Sequence, residues 1–172
     1  MNHIKELAPR AALALVALFV LTTVGLAAGP SEVWTTRLSG QNEDPPNDSK
    51  AHGSATLRVV RDGKTITSIE YRVRVSNLND LTAGHIHSGA EGTSGPVVVN
   101  LNPRTGSGRA QGIVAEGSFD ASDLTGPLTG LTLDDLYELL TSGEAYVNLH
   151  TTTYPGGEIR GQLSARGGGG VD

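Results

Sequence analysis

Three of the five histidines in this 172-residue chain lie in two short segments about sixty residues apart. His85 and His87 flank Ile86 in Ala83-Gly84-His85-Ile86-His87-Ser88-Gly89. His150 ends Tyr146-Val147-Asn148-Leu149-His150, with Glu158-Ile159-Arg160-Gly161-Gln162-Leu163 following closely. In extended backbone, successive side chains point to opposite faces. Ile86, Val147, Leu149, Ile159 and Leu163 then share one face, and His85, His87, Asn148, His150, Glu158 and Arg160 share the other. Neutral imidazole is the usual nitrogen donor for zinc and copper. Two histidines at alternate positions sit roughly 7 Å apart at Cα, a gap that one ion bridges. A third histidine from a neighbouring strand completes a set with one open position. His85, His87 and His150 are therefore the candidate ligands, for zinc or copper. The same pattern also suits a hydrogen-bonded polar cluster that anchors loops, or a directly catalytic group.

The nearby polar residues fit supporting roles. Glu158 and Arg160 are expected to pair with one another or to support the histidines from behind. Arg160 cannot itself ligate, because a guanidinium stays protonated. Asn148 is placed to orient His150. Glu43 is either a fourth ligand or a solvated loop acid, and His52 is expected to be exposed. The glycine-rich run 89–95 lacks the lysine and following helix of a phosphate loop. Thr151-Thr152-Thr153 beside His150 belongs to no serine–histidine–acid pattern. With no cysteine in the chain, a thiolate nucleophile, a cysteine-ligated zinc and a disulfide are all excluded.

The elements that must position these groups are mostly strands. Glycine is abundant (23 residues) and the apolar runs are short, as in a chain of strands and turns. Strands are expected at 33–38, 54–60, 65–75, 85–87, 97–101, 112–119, 144–151 and 158–164. Asp62-Gly63 supplies a hairpin turn, since that pair tolerates positive φ. The polar run 42–50, with Pro45-Pro46, reads as a loop, and 77–81 as a connection. One helix is expected after Thr132 as N-cap. Asp134 and Asp135 occupy its first turn, Leu133, Leu136, Tyr137 and Leu140 form one apolar face, and Gly143 follows the last turn. The sum is an all-β antiparallel sandwich or barrel with one short inserted helix.

The first residues read as a secretory signal, 1–27. Lys5 and Arg10 precede an apolar run, and Gly25-Leu26-Ala27 fits a small-x-small cleavage site. The apolar run is shorter than the roughly 20 residues that span a bilayer, so cleavage is expected rather than anchoring. Residues 33–164 form the expected domain, and 165–172 a flexible glycine-rich tail. Removing Lys5, Arg10 and Glu6 leaves 11 basic and 17 acidic residues. A mildly acidic domain without a basic block has no footprint for nucleic acid.

Three stretches together resemble the chordin (CHRD) domain family. They are Leu38-Ser39-Gly40-Gln41-Asn42-Glu43 with Pro45-Pro46, then Ala83 to Gly89 with Gly95-Pro96-Val97-Val98-Val99, then Tyr146 to Thr151 with Pro155-Gly156-Gly157-Glu158-Ile159-Arg160-Gly161-Gln162. Asp44 departs from the apolar residue usual before the prolines. The resemblance implies an extracellular, immunoglobulin-like β-sandwich, here in the stand-alone secreted form found in microbes. Growth-factor binding does not follow from it, because a shared fold does not carry function. The His85-x-His87 pattern alone also resembles the metal-binding strand of copper/zinc superoxide dismutases, whose further ligands and disulfide cysteines this chain lacks.

The leading expectation is a secreted, non-catalytic extracytoplasmic binding domain with a histidine-based zinc or copper site. Its partner would be an extracytoplasmic protein or matrix component, with no nucleic acid and no membrane once the signal is cleaved. The alternatives are a metalloenzyme handling reactive oxygen, superoxide-dismutase-like, and a structural or matrix adhesion module.

Overall fold

The computed structural model describes residues 32–166. The signal at 1–27 and the tail residues 167–172 lie outside the described residues. The strands are β1 (Val33–Ser39), β2 (His52–Asp62), β3 (Thr65–Asn79), β4 (Leu81–Ser88), β5 (Val97–Asn100), β6 (Arg109–Phe119), β7 (Ala145–Thr151), β8 (Ile159–Gln162) and β9 (Ser164–Ala165). One α-helix, α1 (Leu133–Ser142), separates β6 from β7. Among the described residues the fold is all-β and antiparallel with one short α-helix, as the sequence patterning leads one to expect.

The strands form one curled sheet in the order β5-β4-β7-β8-β1-β2-β3-β6, with β9 pairing to β1. The segment 101–108 ties the two ends together. Leu101 N–H donates to Gly84 O (2.9 Å) and Gly106 N–H to Leu81 O (3.1 Å) on β4, while Arg104 N–H donates to Val114 O (2.7 Å) on β6. The curl encloses one apolar core. Ile86, Val147, Leu149 and Ile159 are fully buried within it, together with Leu57, Ile69 and Val73 from the β2–β3 hairpin. Because side chains alternate, burying Ile86 and Leu149 inside turns His85, His87 and His150 to the opposite face.

The helix forms where its local signals lie. Thr132 and Asp135 make a capping box, and Gly143 closes the helix at φ 75°. Leu133, Leu136 and Leu140 are buried, and Tyr137 meets Trp34 edge-on at 5.3 Å between ring centroids. The hairpin turn falls at Gly63, with φ 58°.

Most strands run past their expected ends, as in β2, β4 and β6, and the strand expected at 158–164 is split into β8 and β9. The residues 77–81 are not a plain connection, since β3 continues to Asn79 and β4 starts at Leu81. Asn77 (φ 63°) and Asp80 (φ 52°) do adopt the left-handed conformation that marks turns. At Asn77, however, that conformation builds a bulge, with the β3–β6 register shifting between Val75 and Leu78. At the chain's far end Ala165 pairs with Trp34 in β9, and Arg166 N–H donates to Val33 O (2.7 Å). Among the described residues no helix is long and apolar enough to cross a membrane.

Candidate metal centre

The site is built on three adjacent strands. Across β4, β7 and β8 the register aligns His85 with Asn148 and Arg160, and His87 with Tyr146 and Gln162. His150 lies opposite Ala83, one row further along the same face. Neighbouring strands are about 4.8 Å apart, so residues in adjacent rows of this face can converge. They do: one ligand nitrogen from each of His85, His87 and His150 lies within 4.8 Å of the other two. The triad expected from the sequence is thus assembled.

The protonation pattern is set from outside the triad. His87 Nδ1–H donates to Gly95 O (2.9 Å), and His150 Nδ1–H donates to Pro155 O (3.1 Å). Both rings therefore carry a bare lone pair on Nε2. His150 Nε2 faces His85 Nδ1 at 3.1 Å, where His85 donates in the metal-free form. His87 Nε2 is buried and has no partner at all. An orphaned buried acceptor costs about 1–3 kcal/mol, so an ion or a donor at this nitrogen would offset the cost of its burial. His85 Nδ1 and His150 Nε2, 3.1 Å apart, match the about 3.3 Å between two nitrogens bound tetrahedrally to zinc at roughly 2.05 Å, whereas a separation as wide as 4.8 Å would have to close as an ion bound.

Burial keeps the three rings neutral, helped at His85 and His87 by repulsion from neighbouring rings. His85 is lowered to about 4 by burial first, then by the neighbouring His150 and His87. His87 and His150 are lowered too, again mainly by burial, and their backbone hydrogen bonds oppose this only in part. Neutral imidazoles keep their lone pairs for ligation at physiological pH.

Behind the histidines the same face carries a second polar cluster, and here the sequence expectation is corrected. Arg160 and Glu158 do not pair. Arg160 Nε donates to Asn42 O (2.6 Å) and one terminal nitrogen to Thr93 O (2.9 Å); its charge partner is Glu43, 3.7 Å away. Glu158 turns the other way and accepts from Ser49 Oγ (2.6 Å) and Thr151 Oγ1 (2.6 Å). Neither contacts a histidine through a hydrogen bond. Glu43 is not solvated either: it is only 8 % exposed and accepts from Asn148 Nδ2 (3.4 Å). Burial pushes its carboxyl up to about 7, against the pull of Arg160 and Asn148. Gly157 makes room for this cluster. Its φ of 136° favours glycine, and a Cβ there would lie 2.5 Å from the Asn148 amide and 2.9 Å from Glu43 Oε2. His52 is exposed, as expected.

The functional residues that sequence reasoning missed are Tyr146, Gly95 and Pro155. Tyr146 lies on the same alternating face as the histidines, a signal that was available. Gly95 and Pro155 act through backbone carbonyls, which residue identity does not announce.

No curated protein and no solved structure is similar enough to this chain to add to the comparison. The model of the CHRD domain family matches residues 34–163, which takes in β1 through β8, the three histidines and the Glu43–Arg160 cluster. The match spans most of the sequence, and the chain belongs to the CHRD domain family.

Proposed function

We propose that this domain works outside the cytoplasm as a non-catalytic binding module, and that His85, His87 and His150 hold one zinc or copper ion within it. The observation that carries the metal is the arrangement of the ring nitrogens. Two imidazoles have their Nδ1 atoms committed to backbone carbonyls, which leaves Nε2 free to ligate; one nitrogen of each histidine lies within 4.8 Å of the others, and His87 Nε2 is buried without a partner. Metal-binding histidines characteristically pair their second nitrogen with a carbonyl or carboxylate. An all-imidazole set without thiolate suits zinc and copper rather than calcium or magnesium. An ion bound there would cross-link β4 to β7 and stabilise the folded state alone.

Export rests on the signal-like start of the sequence and on the extracellular setting that the family resemblance implies. The binding partner is an extracytoplasmic protein or matrix component. The test is elemental analysis and N-terminal sequencing of protein purified from its native compartment. Stoichiometric zinc or copper in a chain starting near Ala28 is the expected result. Metal-free protein, or an intact leader embedded in membrane, contradicts it.

A second reading, a metalloenzyme handling reactive oxygen, draws on one observation. Three imidazoles leave one position of a four-coordinate ion open, and His85 borders a surface cleft with Asn100, Asn102 and Pro103. Superoxide turnover by the metal-loaded protein above that of the free ion separates this reading from the first.

A further inference from the structure

We propose that Tyr146 is a positioning residue for the metal centre, one that fixes His87 in the tautomer able to ligate. The inference rests on the metal reading above and explains how the fold prepares its most buried ligand. Tyr146 is directly opposite His87 in the β4–β7 register. The two rings stack, with centroids 4.9 Å apart and planes 9° from parallel. The guanidinium of Arg160 covers the tyrosine ring at 5.0 Å from its centroid. The ring is only 2 % exposed, so it is held firmly in place.

The hydroxyl then reaches the loop that orients the histidine. Gly95 N–H donates to Tyr146 Oη (3.0 Å), and Gly95 O accepts from His87 Nδ1–H (2.9 Å). Tyr146, Gly95 and His87 thus form a closed circuit: stacking joins the two rings, and one glycine joins both side chains through its N–H and its carbonyl. The circuit specifies glycine, because a Cβ at position 95 would fall on the Ser88 carbonyl oxygen. The same loop is held at two further points, by Arg160 at Thr93 O (2.9 Å) and by Gln162 Nε2 at Gly89 O (2.9 Å).

The consequence is chemical. With its carbonyl held at Nδ1, the loop keeps the His87 proton there and leaves Nε2 as a bare, buried lone pair. A neutral imidazole otherwise places its proton on either nitrogen, and only one placement presents a ligand here. Removing the hydroxyl takes away both the acceptor of Gly95 N–H (3.0 Å) and the donor that reaches Gly95 O at 3.5 Å while leaving the stack, so the carbonyl loses its tie to the tyrosine.

The experiment compares the full chain with Tyr146→Phe by nitrogen-15 NMR of the histidine rings and by titration with zinc and copper. In the parent, His87 Nε2 is expected to show the unprotonated shift before any metal is added. In Tyr146→Phe the His87 signals should move toward a tautomer mixture. Metal affinity should fall by roughly 10–100-fold, the range seen when a ligand's outer partner is lost. An unchanged His87 tautomer together with unchanged affinity in Tyr146→Phe overturns the role of Tyr146 while leaving the metal centre intact. A parent that binds neither ion overturns the metal reading and this inference with it. Should Tyr146→Phe fold poorly, Tyr146→Trp, which keeps a stacking ring without the hydroxyl, takes its place with the same expected tautomer shift and loss of affinity, and an Nε2-protonated His87 in the parent overturns the proposal outright.

Discussion

Glu43→Gln should change how stability depends on pH. Glu43 is buried beside Arg160 and Asn148, and its carboxyl sits at about 7 against an ordinary 4.5. A folded-state pKa above the unfolded one means the folded protein holds that proton more tightly. The resulting stability is complete below 4.5 and is lost as pH rises through about 7. At about 1.4 kcal/mol per pH unit, full ionisation costs the folded state on the order of 3 kcal/mol. The histidines work in the opposite sense. His85, held at about 4 against 6.5, contributes stability that is present above 6.5 and lost as pH falls toward 4. The two trends partly cancel in the parent. Glutamine is neutral throughout, so the variant should show the histidine trend alone. In EDTA, urea unfolding between about pH 5 and about pH 8 should show Glu43→Gln gaining on the parent by up to about 3 kcal/mol. Parallel stability curves for the two proteins would refute the claim that Glu43 is buried and titrates near neutrality.

Three other outcomes follow from the same structure. Leu136→Ala empties a fully buried position on α1 and should cost about 2–5 kcal/mol in urea unfolding without altering metal stoichiometry. Gly95→Ala should displace the loop that holds His87 and weaken metal binding in a zinc titration, because the added Cβ meets the Ser88 carbonyl. Zinc should be released on acidification with a midpoint below about pH 6, because burial keeps all three histidines from taking up protons at their usual value; a chelator-free pH titration read by elemental analysis checks this.

Much of this site could be read in the sequence because its signals are local. The two-residue period places His85, His87 and His150 on one face as soon as Ile86 and Leu149 are assigned to the core. Thr132, Asp135 and Gly143 likewise bound the helix by chemistry confined to its own ends. What escaped was non-local. Glu43 arrives from a loop more than a hundred residues away from Asn148 and Arg160, and nothing near it in sequence distinguishes a buried acid from a solvated one. Glu158 and Arg160 are two apart, which suggests a pair, yet Ser49 and Thr151 draw Glu158 away while the carbonyls of Asn42 and Thr93 hold Arg160. The strand β3 ran past its expected end because Asn77, a turn-former by composition, was absorbed as a bulge.

The central claim is that His85, His87 and His150 hold one ion, and calorimetric titration of EDTA-stripped protein with zinc and, separately, copper tests it most directly. The parent should bind one ion per chain with at least one of the two metals. His85→Ala combined with His87→Ala should abolish that binding while leaving the metal-free far-UV spectrum unchanged, since neither side chain lies in the apolar core. A parent that binds neither metal, or a double variant that binds as tightly as the parent, would contradict the account.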